Sequence, residues 1–232
     1  LNKSELDTLR KSTDYLWTIR YALHLIAKRP EERLLFDHQR KLATFFGYED
    51  NEEELAVEQF MHRYYRTAMH LAELNQTLLQ LFDQGILHAH EADLVVSINR
   101  RFELRNGRLQ ACYPSLFLRQ PFAMMEAFVI LAQHPQCQAI GAECKRLIQT
   151  YRHLIDDKYR RDIRVNSLFM ELLRSPQRMS HTLLEMQRQG VLGDYLPAFN
   201  RIVGRMQHDM YHIYTVDAHC MKVVKKMREL LL

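Results

Sequence analysis

Apolar residues recur every three or four positions through most of the chain, which is the spacing of one face of an α-helix. A first helix is predicted over residues 4–28, because the Arg29-Pro30 pair disfavours the helical conformation just beyond it. A second helix is predicted over about residues 34–46, where Gly47 can supply a left-handed cap. The beginning of the chain is therefore expected to be helical.

The same spacing predicts further helices along the chain. Asn51 and Glu54 form a capping-box-like start, and Ser175-Pro176 is typical of an N-cap followed by a first-turn proline. The further predicted helices cover about residues 51–82, 121–133, 140–154 and 176–189.

The pattern changes between residues 92 and 113, where apolar residues alternate on either side of Asn106-Gly107. An Asn-Gly pair between alternating segments indicates a β-hairpin. The predicted fold class is therefore all-α, a multi-helix bundle with one small β-hairpin near residues 95–112. The helical pattern breaks again at Tyr195, which places a predicted domain boundary between residues 1–195 and 196–232.

Composition supports a helical intracellular protein. Only 7 Gly and 6 Pro occur in 232 residues, and the net charge of +4 is spread over 32 basic and 28 acidic residues. Such a spread does not indicate nucleic-acid binding. The four cysteines form no close pair, which favours reduced thiols in the cytoplasm. No apolar run approaches the roughly 20 residues that cross a bilayer.

A cluster of metal-capable side chains lies near the end of the chain. Its members are His208, Asp209, His212, Asp217 and His219. His208 and His212 are four residues apart and can share a helix face, but two imidazoles make no closed metal site. A structural or surface role for His208 is the favoured interpretation, and the pair His62/Arg66 is interpreted as part of a helix surface. From these patterns alone no reaction can be named.

The two ends suggest that the chain is a piece of a longer protein. It begins with Leu1 rather than Met, and apolar residues at helical spacing continue to its last residue with no stop signal after them.

Several segments resemble one family, the bacterial bifunctional uridylyltransferase/uridylyl-removing enzymes that modify the nitrogen-regulatory PII protein. The matching segments run in the family's order and include Tyr15–Arg20, Arg33–Gln39, Phe60–Ala68, Gly190–Phe199 and Met206–His219.

The resemblance implies a nucleotidyltransferase domain before this chain and two glutamine-sensing domains after it. Residues 1–195 would be the helical region between them, and residues 196–232 the first helices of a His-Asp type metal-dependent hydrolase. The longer enzyme would transfer UMP from UTP to PII and remove it again, using Mg²⁺ or Mn²⁺. The segment alone is expected to be inactive and free of metal.

The resemblance also assigns candidate site residues. His219 would be the first metal ligand of the hydrolase, whereas His208-Asp209 lies upstream of the family's metal-binding dipeptide. Five residues are candidates for a face toward the nucleotide-binding domain, with ordinary salt bridges as the alternative: Arg20, His24, Arg33, Asp37 and Gln39.

Two other functions stay open. The chain could be a stand-alone helical protein-binding module, or part of a glutamine synthetase adenylyltransferase. The segment Tyr214–His219 argues against the second, because that enzyme has no hydrolase of this type.

Overall fold

The described part of the chain is mostly helical, as predicted, and carries one small sheet. The structure is a computed structural model that describes residues 2–82, 94–208 and 214–230. The helices are α1 Lys3–Ala27, α2 Phe36–Phe45, α3 Ala56–Phe82, α4 Leu116–Arg119, α5 Ala123–Gln133, α6 Ala142–Tyr151, α7 Asp157–Arg161, α8 Ile163–Arg174, α9 Met179–Arg188, α10 Val191–Tyr195, α11 Pro197–Asn200 and α12 Val216–Glu229. The strands are β1 Val95–Ser97, β2 Phe102–Arg105, β3 Arg108–Ala111 and β4 Ala139–Ile140.

The chain divides into two compact units. The amino-terminal unit comprises Leu1–Asn75 and Arg201–Val223, and the sheet unit comprises Gln76–Asn200 and Val224–Leu232. This division describes packing, so the assignment of residues 196–232 to a hydrolase domain stays a prediction.

Helix α1 begins and ends close to its predicted bounds. Asn2 Oδ1 accepts the Glu5 N–H at 2.8 Å, and Glu5 Oε2 accepts the Asn2 N–H at 2.9 Å, which together form a capping box. The helix ends at Lys28, whose φ of 53° is left-handed. Ile19 and Leu23 of α1, Leu42 of α2 and Phe60 of α3 lie in the core of this unit.

Helix α3 begins five residues later than predicted. Asn51 Oδ1 accepts the N–H groups of Glu53 and Glu54 at 2.9 and 2.8 Å, so its side chain closes a turn before the helix. Asp50 Oδ1 accepts the Ala56 N–H at 2.7 Å, at the first residue of α3. The predicted cap was therefore wrong, because the asparagine stabilises a local turn.

The predicted two-stranded hairpin is part of a four-stranded sheet with the order β1-β2-β3-β4. Asn106 and Gly107, with φ of 48° and 73°, connect the antiparallel strands β2 and β3, which confirms the hairpin. Strand β1 pairs antiparallel with β2, and β4 pairs parallel with β3. The prediction of a two-stranded ribbon was wrong in missing the two outer strands. These strands have only three and two residues, which is too short to show an alternating pattern in the sequence.

The core of the sheet unit is built around α5, in which Ala123 to Ala132 are all buried. This helix packs against α8 and α9. The predicted N-cap at Ser175 was wrong, since Ser175 ends α8 by donating its N–H to the Leu172 carbonyl oxygen at 3.1 Å. The following helix begins only at Met179.

Candidate functional site

Two of the candidate residues on α1, Arg20 and His24, contact one carboxylate. Arg20 donates from Nε to both Glu32 carboxylate oxygens, at 3.0 and 3.1 Å, and from Nη2 to Oε1 at 2.6 Å. His24 Nε2 lies 3.5 Å from Glu32 Oε1. The guanidinium of Arg20 also lies over the Trp17 ring, 4.7 Å from its centroid. Arg20 therefore has an intramolecular partner, as the salt-bridge alternative predicted.

The third candidate, Arg33, lies in the loop between α1 and α2 and contacts a buried carboxylate. Glu31 Oε1 accepts the Arg33 N–H at 3.0 Å, and Glu31 Oε2 accepts from Arg29 Nη2 at 2.8 Å. The backbone hydrogen bond from Arg33, followed by side-chain bonds from Arg33 and Arg29, lowers the pKa of Glu31 to about 2. By accepting hydrogen bonds from Arg29 and Arg33, the Glu31 carboxylate therefore stabilises the conformation of the loop between α1 and α2.

The last two candidates differ in exposure. Asp37 is exposed in the first turn of α2. Gln39 is buried, and its side-chain nitrogen donates to the Leu34 carbonyl oxygen at 2.8 Å. Gln39 thus holds the start of α2, and its side chain is not presented to solvent.

An exposed apolar stripe lies on the outer face of α1. Trp17, Tyr21 and Leu25, spaced four residues apart, are 44%, 61% and 70% exposed. The rings of Trp17 and Tyr21 stack with centroids 5.6 Å apart. Three large apolar side chains on one exposed helix face are typical of an interaction surface.

Residues 201–208 form an arm that packs on α2 and α3 in the amino-terminal unit. Met206 belongs to the core of this unit, and the Arg205 guanidinium pairs with Glu54. His62 Nε2 donates to the Val203 carbonyl oxygen at 3.0 Å. The interpretation of His62 as a helix-surface residue was therefore wrong, because the side chain binds the arm.

The end of the arm is held by His208, as a structural role for this residue predicted. Its N–H donates to Glu58 Oε1 at 3.0 Å, and its ring contacts Phe36 edge-on with centroids 5.0 Å apart. Arg40 Nε donates to His208 Nε2 at 3.0 Å. Asp209 and His212 lie outside the described residues.

Helix α12 follows and carries His219. Asp217, which is 1% exposed, accepts the Gly204 N–H through Oδ1 at 3.0 Å. His219 is exposed. Within residues 2–82, 94–208 and 214–230, no three His, Cys, Asp or Glu side chains are grouped so that they could hold a metal ion. The described residues therefore do not make a complete metal site, and His219 would need ligands from elsewhere.

Sequence reasoning missed the carboxylates Glu31 and Glu32 and the structural role of Asp217. The signal for Asp217 was its position two residues before His219, which on a helix puts the two side chains on opposite sides. Among the described helices, none is both long and apolar enough to cross a bilayer.

Comparison with known proteins gives a consistent picture along the chain. Residues 1–79 match the family described as GlnD PII-uridylyltransferase, and residues 102–195 match the uridylyltransferase GlnD third domain. The chain is 49% identical over 230 residues to the bifunctional uridylyltransferase/uridylyl-removing enzyme of Pseudomonas aeruginosa strain LESB58, covering 99% of this chain. Proteins of the same description from Pseudomonas putida strain F1 and Stutzerimonas stutzeri strain A1501 are 48% and 47% identical, also over 99% of this chain.

The chain spans 26% of the length of these curated relatives. No solved structure matches it.

Proposed function

Because the chain belongs to the GlnD family, we propose that it is the helical scaffold and coupling segment of an enzyme that uridylylates PII with UTP and hydrolytically removes the UMP. The observation that carries this proposal is the identity of 49% over 99% of the chain to a bifunctional relative. The two family matches follow each other along the chain, at residues 1–79 and 102–195, which also supports the proposal that the chain is a segment of such an enzyme.

The proposal assigns residues 196–232 to the start of the His-Asp type hydrolase. His219 would provide one imidazole for Mg²⁺ or Mn²⁺, which would polarise the phosphodiester when bound. The exposed position of His219 supports this, because a ligand of a site shared with other parts of a protein must face outward. The arm before it packs with α2 and α3 in one unit, which gives the first helices a physical connection to α12.

A second part of the proposal concerns the amino-terminal unit. Its face around Arg20, His24, Arg33 and Asp37 would meet the nucleotidyltransferase domain that binds UTP. The exposed stripe of Trp17, Tyr21 and Leu25 supports this, since the stripe supplies apolar area to bury next to the charged residues. Glutamine would act through domains outside this segment, and the enzyme would work in the cytoplasm.

A chimera tests the proposal. The aligned segment of this chain, which covers 99% of it, would replace the matching segment of the Pseudomonas aeruginosa relative, and transfer of UMP to PII and its release would be measured separately. We expect both activities in the chimera. The purified 232-residue chain by itself should show neither.

A single substitution adds a control within the chimera. His219→Ala should abolish UMP release and leave UMP transfer intact. A folded chimera with neither activity would contradict the scaffold role and favour a stand-alone binding module. Undiminished UMP release by the His219→Ala chimera would contradict the assignment of residues 196–232 to the hydrolase.

A further inference from the structure

We propose that Asp217 is a positioning residue that fixes the orientation of His219, an inference that rests on the proposed hydrolase role of His219. Asp217 lies in the first turn of α12 and is 1% exposed. A buried carboxylate is costly unless hydrogen bonds compensate it. Here the Oδ1 atom accepts the Gly204 N–H at 3.0 Å, and the carboxylate also lies at the positive end of the helix dipole.

The bond to Gly204 ties α12 to the arm. Beside it, Val216 donates its N–H to the Arg205 carbonyl oxygen at 2.8 Å. Two neighbouring residues of the arm, Gly204 and Arg205, are thereby bonded to two neighbouring residues at the start of α12. These two hydrogen bonds therefore fix the position of the first turn of α12 relative to the arm.

Helix α3 holds the arm from the other side. His62 Nε2 donates to the Val203 carbonyl oxygen at 3.0 Å. Gly204 has a φ of +76°, and a Cβ atom there would lie 3.0 Å from Arg66 Cγ and 3.4 Å from His62 Cδ2. The glycine thus allows both the left-handed turn and the close approach to α3, so the Gly204 N–H that donates to Asp217 is held in place by its packing against α3.

Because Asp217 and His219 lie on the same helix, the hydrogen bond that holds Asp217 also sets the direction in which the His219 side chain points. Residues two apart on an α-helix point about 200° apart, and residues four apart point about 40° apart. Asp217 and Met221 are accordingly both buried, at 1% and 9% exposure, whereas His219 is exposed. If Asp217 lost its bond, the first turn of α12 could fray or roll, and the imidazole would no longer be held in one direction.

The chimera distinguishes a positioning role from a merely structural one. Asp217→Ala should reduce UMP release about a hundredfold, the cost of a catalytic group misplaced by about 1 Å, while UMP transfer stays at the level of the unsubstituted chimera. Asp217→Asn should largely restore release, because the amide oxygen accepts the same Gly204 N–H. Asp157→Ala is a matched control, since Asp157 is also a first-turn aspartate, but its side chain is 81% exposed.

Hydrogen exchange in the 232-residue chain gives a second readout. The Gly204 amide should exchange faster in Asp217→Ala and at the native rate in Asp217→Asn. Normal UMP release by Asp217→Ala, in a chimera whose release depends on His219, would overturn the inference and leave the proposed function standing. Loss of release in Asp217→Asn with Gly204 still protected would also overturn it, because the carboxylate would then act directly.

Discussion

The sheet unit contains a buried ion pair whose removal should be costly. Lys145 Nζ of α6 lies 2.7 Å from Glu185 Oε1 of α9, and the two side chains are only 4% and 9% exposed. Gln189 Nε2 also donates to Glu185 Oε1, at 3.4 Å. At an effective dielectric constant of about 20, two unit charges at this separation attract by about 6 kcal/mol, much of which offsets the desolvation of both groups.

We predict that Lys145→Met lowers the free energy of unfolding by about 3–5 kcal/mol, because it removes the cation in direct contact with the buried Glu185 carboxylate, whereas Arg188 Nη1 lies 4.0 Å from Glu185 Oε2 with a half-exposed side chain. The double variant Lys145→Met/Glu185→Leu should recover most of this loss, since apolar side chains of similar size remove both desolvation costs. The comparison separates the net value of the pair from the penalty for an unpaired buried charge.

Urea denaturation followed by far-UV circular dichroism measures these free energies. Lys225→Met is the control, because Lys225 lies on α12 with a 64% exposed side chain and should leave stability unchanged. The reasoning would be refuted if the single variant lost less than about 1 kcal/mol, or if the double variant were as unstable as the single one.

Three further predictions concern backbone strain, pH and thiol reactivity. Gly190→Ala should lower the free energy of unfolding, measured by thermal denaturation, by about 1–3 kcal/mol, because Gly190 has a φ of +74° and a Cβ would lie 2.2 Å from Arg152 Nη1. Gly47→Ala is the control for backbone strain alone, because Gly47 has a φ of +77° and a Cβ there would have nothing within 4 Å. The pKa of Glu31 is about 2, against an ordinary 4.5, so the stability that this carboxylate contributes is complete above pH 4.5 and is lost as the pH falls toward 2. Carbon-detected NMR titration of the Glu31 carboxylate should show a midpoint near 2, and a midpoint near 4.5 would contradict the prediction. Burial raises the pKa of Cys144 to about 12, so Ellman's reagent should label this thiol only after unfolding.

The long elements could be predicted from the sequence because they repeat one spacing many times. Helix α1 spans 25 residues, and its predicted and observed bounds differ by one residue at each end. The two-residue strand β4 has no periodicity of its own and exists because β3 offers it a parallel partner. Ser175 was mistaken for an N-cap because a serine before proline fits either helix terminus, and only the preceding turn of α8 decides which.

Candidate site residues could be named only where short segments carry the family resemblance, and their roles stay predictions. Arg20 and Arg33 became candidates because the segments that contain them resemble the family, but their carboxylate partners, Glu32 and Glu31, depend on how the loop after α1 folds. The bond from Arg40 to His208 joins residues 168 positions apart, and no local pattern contains such a pairing. Periodicity tells which face of a helix is apolar, and it does not tell which distant segment covers that face.

The ion pairs around the α1–α2 loop also decide which arginine is better suited to a phosphate. Arg20 and Glu32 have side chains 41% and 60% exposed, so water screens their attraction and can solvate Glu32 if Arg20 exchanges it for a phosphate. A phosphate offers the same two-oxygen geometry to the guanidinium fork. Glu31 differs, because its side chain is only 6% exposed and the departure of Arg33 would remove a cation from a carboxylate that water cannot easily reach. On the proposed face toward the nucleotide, Arg20 is therefore the side chain that can change partners, and Arg33 is the one that keeps the loop in place.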